Sequence, residues 1–522
     1  MLHTSETIAA ICTPATRSAI GIIRVSGPKS IEIVDSIFCH GKYTPINDEI
    51  HLNGDDSHDT AYSASSNEQA TYDKSSSDRR AHLTQAEASH INPRNRSHNR
   101  PSEKAHYLQD SPDKTIHYGH IVVDGQMLDE VLVMLMRAPH TYTGEDVVEV
   151  HCHGGTLVLE SVLQAILAHG ARLSAPGEFS KRAFLNGKMD ISKAQSVMDV
   201  INAKSSLALK SSLSRLSGRL SEKISSLRAS ILHEIAFIEA ALDDPEHYSL
   251  DGYESRLLPI LFEHMEEILD LMDTAHDGRV INEGIKTVII GRPNAGKSSV
   301  YNLLAGAELA IVTDIAGTTR DMLSSDITLG GIALNIIDTA GIRDSKDAIE
   351  QIGIERARAA ISGADLVLCV VDGSRQLDDE DRALLSDISD RRAITLLNKS
   401  DIATKISDDE INALAPYATS IVFSAKDGSG YDELVDTIRQ MFLKGDITMN
   451  DELLITRERE VEALNTAYDA LMRVVESIQA HYSEDIYTID LTEAYEALGI
   501  ITGESLEDDI VDAIFAQFCM GK

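Results

Sequence analysis

The chain has 522 residues, enough for three or four domains at about 150 residues each. Apolar residues make up 43% and aromatic ones 5%, with no tryptophan, so its cores must be mostly aliphatic. Lys and Arg number 47 against 83 Asp and Glu, a formal charge of −36 that excludes non-specific coating of nucleic acid but leaves room for one local basic face. No run of 18 apolar residues predicts a membrane span, and no basic-then-apolar signal precedes the fold. Five widely spaced cysteines (Cys12, Cys39, Cys152, Cys369, Cys519) read as the reduced thiols of a cytoplasmic protein.

In chain order, residues 1–50 and 114–155 read as β-rich. Ile20 to Val25, Val131 to Met136 and Val147 to Val150 are strand candidates, and Asp124-Gly125 signals a hairpin. Residues 51–113 hold only Leu52, Leu83, Ile91 and Leu108 among Leu, Ile, Val and Phe, so they are expected to form a disordered insert. Six histidines there read either as metal ligands or, more simply, as part of a polar loop. His151-Cys152-His153 suggests a zinc cluster, but further ligands are missing nearby. From about 190 the apolar period changes to that of a helix. Leu213, Leu216, Leu220, Ile224, Leu227, Ile231, Ile235, Ile238 and Leu242 predict one long amphipathic helix over 206–243, or two nearly collinear ones. Val461, Leu464, Tyr468, Leu471, Val475 and Ile478 keep the same spacing, while 286–442 alternate strand and helix. The economical arrangement is a helical domain split in sequence with an α/β domain inserted into it. Residues 181–230 carry ten Lys and Arg against three acids, which makes them either a docking face for a polyanion or a helix surface paired with acidic neighbours.

The strongest motif follows the apolar run Lys286 to Ile290: Gly291-Arg292-Pro293-Asn294-Ala295-Gly296-Lys297-Ser298, a phosphate-binding loop between strand and helix. Its glycines let backbone N–H groups face phosphates, Lys297 serves the β- and γ-phosphates, and Ser298 ligates Mg²⁺. Asp338-Thr339-Ala340-Gly341 follows a second apolar run; Asp338 holds Mg²⁺ through water and the Gly341 N–H senses the γ-phosphate. In Asn398-Lys399-Ser400-Asp401 the Asp401 carboxylate matches guanine N1–H and the 2-amino group. Ser424-Ala425-Lys426 would close on the base, and Thr319 is the candidate switch threonine. Five elements in this order predict a GTPase. Ile342 stands where many GTPases keep a water-orienting glutamine, so hydrolysis needs another group. Glu350 is either that group or a surface carboxylate, and Asn294 is a candidate ligand for a monovalent cation.

Asn294-Ala295-Gly296-Lys297-Ser298-Ser299, Thr313-Asp314-Ile315-Ala316-Gly317-Thr318-Thr319-Arg320, Asp338-Thr339-Ala340-Gly341 and the terminal Phe518-Cys519-Met520-Gly521-Lys522 together resemble the MnmE (TrmE) tRNA modification GTPases. Gly21 to Gly27, Thr143 to Asp146, and Pro176 to Ser180 with Arg182 to Asn186 extend the resemblance. It implies an α+β multidomain protein: a β-rich folate-binding and dimerisation domain (1–187), a discontinuous all-α domain (188–282 and 446–522) and an inserted α/β Ras-like G domain (283–445). The whole loop set 294–299, 313–319 and 338–341, with Asn398, Lys399, Asp401 and Ser424 to Lys426, would bind GTP. K⁺ would lie at Asn294, Thr313, Ile315 and Thr318, and Mg²⁺ at Ser298 and Thr319. Glu350 would orient water, with Asp338 and Lys297 completing the catalytic set. Arg24, Glu149, Lys188 and Lys522 would contact 5-formyl-tetrahydrofolate or a related tetrahydrofolate, with Cys519 near that site. The resemblance further implies a homodimer, an FAD-dependent partner forming a heterotetramer, and aminomethyl or carboxymethylaminomethyl addition at C5 of the wobble uridine of certain tRNAs. The competing expectation from the G domain alone is a GTP-switched ribosome-assembly factor; a third is a folate enzyme whose GTPase only regulates.

Overall fold

The computed structural model describes residues 6–14, 16–41, 107–307, 325–337, 360–402, 404–443, 453–519 and 521. The N-terminal body contains β1 (Ile8–Ile11), β2 (Ile20–Ser26), α1 (Ser30–Ile37), β3 (Phe38–His40), β4 (Thr115–Val123), β5 (Gln126–Met136), β6 (Val147–His153), α2 (Thr156–Ala168) and β7 (Arg172–Leu173). Its seven strands run β3-β4-β5-β6-β2-β1-β7, antiparallel except where β1 meets β7. Strand alternation sends Val131, Val133 and Leu135 into a core with Val34, Ile37, Val162 and Ile166 of the two helices. The other sheet face keeps Ile116, Tyr118 and Leu132 exposed. Asp124 and Gly125 both have positive φ (51° and 79°), the requirement of the hairpin turn their sequence suggests.

The expected insert over 51–113 is shorter at its C-terminal end. Residues 107–113 belong to the fold: Leu108 is fully buried, its N–H donates to Asp35 Oδ1 at 2.8 Å, and Arg137 donates to the carbonyls of Gln109 (2.7 Å) and Ser111 (3.0 Å). One buried leucine in a polar window is lost in a compositional average. Residues 51–106 of that expectation lie outside the described residues.

The first helical piece comprises α3 (Glu178–Leu185), α4 (Ile191–Asn202), α5 (Ser206–Leu216), α6 (Arg219–Asp243), α7 (Tyr253–Asp273) and α8 (Ala275–Glu283). Residues 206–243 form two helices rather than one. Gly218 takes φ 96° between α5 and α6, a conformation open to glycine at little steric cost.

The α/β body then follows as β8 (Ile285–Ile290), α9 (Lys297–Ala307), β9 (Ser325–Leu329), β10 (Ile332–Ile336), β11 (Leu366–Asp372), α10 (Asp379–Asp387), β12 (Ala393–Asn398), α11 (Asp408–Leu414), β13 (Ala418–Val422) and α12 (Tyr431–Phe442). The sheet order is β13-β12-β11-β8-β10-β9, parallel apart from edge strand β9. The central strands are buried on both faces, which is why they read as continuous apolar runs. The chain closes with α13 (Glu458–Gln479), α14 (Glu484–Thr502) and α15 (Asp508–Phe515).

The two helical pieces share one core. Leu220, Ile224, Leu227 and Ile231 of α6 and Leu257 and Leu261 of α7 pack with Leu464, Leu471 and Val475 of α13 and Leu491 and Leu498 of α14. Much of the basic charge of 181–230 is consumed inside the molecule. Arg182 reaches Glu178 and Glu145 (both 3.1 Å), Arg215 pairs with Glu460 and Arg228 with Glu504, all three guanidinium groups being buried. Lys181 meets Asp512, Lys204 meets Asp326 and Lys223 meets Glu267. Among the described residues, no helix is long and apolar enough to cross a membrane.

Candidate functional site

The phosphate loop leaves β8 at the point where the sheet continues to β10 on one side and β11 on the other, the crevice where open α/β sheets take their ligands. Its backbone could not be built from ordinary residues. Gly291 has φ 148° and a Cβ there would lie 2.3 Å from Val370 O; at Gly296, φ 104°, it would lie 2.1 Å from Asn398 Nδ2. Asn294 itself sits at φ 65°, a left-handed position that asparagine tolerates better than most. Lys297 Nζ donates to Gly291 O (2.7 Å) and Arg292 O (2.8 Å), so the ammonium is held across the mouth of its own loop. Burial pushes its pKa below the usual lysine value, a penalty that an arriving phosphate would offset. Ser298 and Ser299 follow in the first turn of α9.

Asn398 joins this loop to the opposite wall. Buried at 3% exposure, it donates from Nδ2 to Ala295 O (2.8 Å) and accepts from Ala425 N at Oδ1 (3.0 Å). Lys399, at φ 69°, extends to Asp372 Oδ2 (2.7 Å). Asp401 accepts from the Ser424 hydroxyl at 3.3 Å and from Lys426 Nζ at 3.2 Å. The structure therefore gathers Asn294 to Ser299, Asn398, Lys399, Asp401 and Ser424 to Lys426 at the C-terminal edge of one sheet. Thr313, Asp314, Ile315, Ala316, Gly317, Thr318, Thr319, Asp338, Thr339, Ala340, Gly341 and Glu350 lie outside the described residues.

A second polar site lies on the N-terminal sheet. Arg24 and Glu149 are register partners on β2 and β6, joined Nε to Oε1 at 2.9 Å. The Arg24 guanidinium lies over the rings of Tyr142 (5.2 Å) and Phe179 (5.6 Å) and reaches Gly521 O of the C-terminal tail at 3.4 Å. A Cβ on Gly521 would lie 2.5 Å from Cys12 Cα, so only glycine lets the tail approach β1 this closely. Exposed Cys519 accepts from Gly177 N through its carbonyl at 3.2 Å. Lys188 is exposed beside Gly144, on the turn that follows α3, and Lys522 lies outside the described residues.

Sequence reasoning names His151 only within the zinc trio and misses its place beside Glu149. This histidine shares a strand face with Glu149, its Nε2 is buried 3.6 Å from Glu149 Oε2, and among the described residues it finds no hydrogen-bond partner. The signal was the two-residue spacing on β6. The same alternation turns Cys152 to the core, where burial pushes its thiol up to about 12, while His153 pairs with Asp129 at 2.7 Å. That geometry does not make a thiolate cluster.

A parallel sheet of this order, with a phosphate loop after its first strand and Asn-Lys-x-Asp after β12, defines a P-loop G domain inserted into a helical body. The profile of the MnmE helical domain matches residues 191–519, and that of the GTP-binding protein TrmE N-terminus matches 7–76 and 86–188. The chain belongs to the MnmE family of tRNA modification GTPases. The tRNA modification GTPase MnmE of Lachnoclostridium phytofermentans is 42% identical over 518 residues, covering 99% of this chain and 100% of that one. Those of Acetivibrio thermocellus (38% over 523 residues, 100% of each chain) and Listeria innocua (39% over 518, 99% of each) are similar along their whole length.

Proposed function

We propose that this chain, a GTP hydrolase acting in tRNA modification, is activated by K⁺ and by dimerisation of its G domains in the cytoplasm. With an FAD-dependent partner it adds an aminomethyl or carboxymethylaminomethyl group at C5 of a wobble uridine. The one-carbon unit is drawn from 5-formyl- or methylene-tetrahydrofolate. Asp401 reads the guanine, Lys297 meets the terminal phosphates, and Ser298 with Thr319 and Asp338 serves Mg²⁺. Potassium at Asn294, Thr313, Ile315 and Thr318 supplies the positive charge that an arginine finger supplies in other GTPases, and Glu350 orients water in place of the glutamine that Ile342 replaces.

The observation that carries the one-carbon reading is the meeting of the C-terminal tail with Arg24, which is itself paired with Glu149. Arg24, Glu149 and the His151 Nε2 that lacks a hydrogen-bond partner among the described residues form a donor–acceptor set beside two aromatic rings, which suits the polar edge and flat face of a pterin. Lys188 and Lys522 would meet the anionic end of such a ligand, and Cys519 would lie beside it. The set fits the group.

Hydrolysis by the full chain is expected to be faster in KCl than in NaCl by about tenfold or more, the scale of one well-placed charge. Equal rates would remove the cation from the mechanism. Cells lacking the protein are expected to lose C5-modified wobble uridines in nucleoside digests of their tRNA. An unchanged profile would turn attention to ribosome assembly, a role poorly matched by the acidic C-terminal piece, whose 446–522 hold only Arg457, Arg459, Arg473 and Lys522 as bases.

A further inference from the structure

The nucleotide site and the Arg24–Glu149 site stand on different bodies, yet a continuous run of contacts joins them. It begins at the β9–β10 hairpin, which in sequence separates the stretch holding Thr319 from the stretch holding Glu350. The Thr328 hydroxyl donates to Lys204 O (2.9 Å), and Lys204 Nζ donates to Asp326 Oδ1 (3.1 Å) and Asn335 Oδ1 (3.2 Å). Leu207 of α5 sits so close to the hairpin turn that a Cβ on Gly331 would be 3.0 Å from its Cγ.

From there α5 runs to Arg215 in its last turn. Arg215 is 1% exposed and donates to Glu460 Oε1 (2.5 Å), Glu460 Oε2 (2.9 Å) and Leu454 O (3.2 Å); Glu460 is fully buried. The same turn of chain carries Arg457, paired with Asp199 of α4, and Arg459, which donates to Gln195 Oε1 at 3.1 Å. Ile191 and Ala194 of α4 pack on Phe515 and Phe518, and the next residue is Cys519, at the head of the tail that meets Arg24.

Apolar side chains of similar volume would hold α5 to α13 at no desolvation cost, whereas a buried pair costs several kcal/mol per ion before its attraction is counted. What the bidentate pair adds is a single allowed register. We propose that Arg215 and Glu460 are positioning residues that lock α5 to the start of α13, so that a displacement of the β9–β10 hairpin moves α4 and the C-terminal tail with it. The proposal rests on the GTPase reading, and it makes the tail site respond to the nucleotide.

The test is the rate of Cys519 alkylation in the full chain, read by peptide mapping, with and without a non-hydrolysable GTP analogue in Mg²⁺ and K⁺. Cys152 and Cys369 are buried, and mapping separates Cys12 and Cys39. In the wild type the analogue is expected to change the Cys519 rate at least about fivefold, the lower end of ordinary site-to-site coupling. In R215M/E460M the ratio is expected to fall to about one while GTP turnover stays within about twofold, the sites being far apart. Should that variant fail to fold, K204A/T328V cuts the other end of the strut and is expected to lower the ratio by at least about half. A wild-type ratio in a folded variant, or no response in the wild type, overturns the proposal. Calorimetry on the same sample separates the causes. Nucleotide binding without a response sinks the strut alone, and no nucleotide binding sinks the GTPase reading beneath it.

Discussion

Asp401→Asn is expected to lower affinity for GTP on the order of 10⁴-fold, about 5.5 kcal/mol, and to raise affinity for xanthosine triphosphate in return. The carboxylate is the only group in Asn398-Lys399-Ser400-Asp401 that offers two acceptors to a base edge carrying two donors. The Ser424 hydroxyl and the Lys426 ammonium, at 3.3 and 3.2 Å, hold it in place before any base arrives. An asparagine there sets an N–H₂ against the guanine 2-amino group and loses one hydrogen bond while creating a donor–donor clash. Xanthine has a carbonyl at that position, so the same amide becomes a partner. Asn398, which ties the loop through Ala295 O, is untouched by the change, so the phosphate site should remain intact. Calorimetry with both nucleotides decides the matter, and a retained preference for GTP would remove Asp401 from the base contact.

The phosphate loop was legible in the sequence because its chemistry is contiguous: eight residues, their flanking strand and the helix that follows suffice. Asn398 was legible as part of a base-reading motif, but its bond to Ala295 O joins residues 103 apart and came only with the sheet order. The N-terminal site was less legible. Arg24 and Glu149 come from strands 125 residues apart, and neither composition nor periodicity pairs them; only resemblance did. The trio His151-Cys152-His153 suggests zinc ligation only by proximity in sequence, with further ligands missing; adjacent residues of a strand face opposite ways, so Cys152 turns into the core, away from the two histidines. Leu108 was averaged into a polar window. The break at Gly218 lies within an unbroken apolar period, because α5 packs toward the α/β body while α6 packs into the helical core.

The basic run over 181–230 shows a different limit. Sequence gives the sign and density of charge but not where the side chains end. Arg182 and Arg215 turn inward to the buried carboxylates of Glu178 and Glu460, the buried Arg228 reaches the exposed Glu504, and Lys181, Lys204 and Lys223 each meet a carboxylate at the surface. What looks like a face for a polyanion is in good part the cationic half of the contacts that bind the helical body together and to its neighbours. Burial separates the two kinds. The exposed pairs contribute little, about 0–1 kcal/mol each, whereas removing one member of a buried pair leaves a charge with no solvent and no partner.

Arg215→Ala should accordingly destabilise the helical body by about 3–5 kcal/mol, because Glu460 would remain fully buried without its cation. R215M/E460M should instead be neutral or more stable by about 1–4 kcal/mol, since both desolvation costs vanish together. The two variants thus differ in sign, which loss of side-chain volume alone would not produce. Acid resolves the origin further. Burial works against ionised Glu460, but Arg215 outweighs it and holds the carboxyl below its usual range. Burial likewise opposes the guanidinium, and Glu460 overcomes it, so Arg215 stays cationic throughout. With the folded pKa below the unfolded one, the Glu460 contribution is complete above about pH 4.5 and is lost as pH falls through the folded value. Wild-type thermal stability, followed by circular dichroism from pH 7 to pH 4 and below, should therefore fall more steeply on the acid limb than that of the double variant. Parallel acid limbs would mean that the pair contributes no charge interaction to the fold.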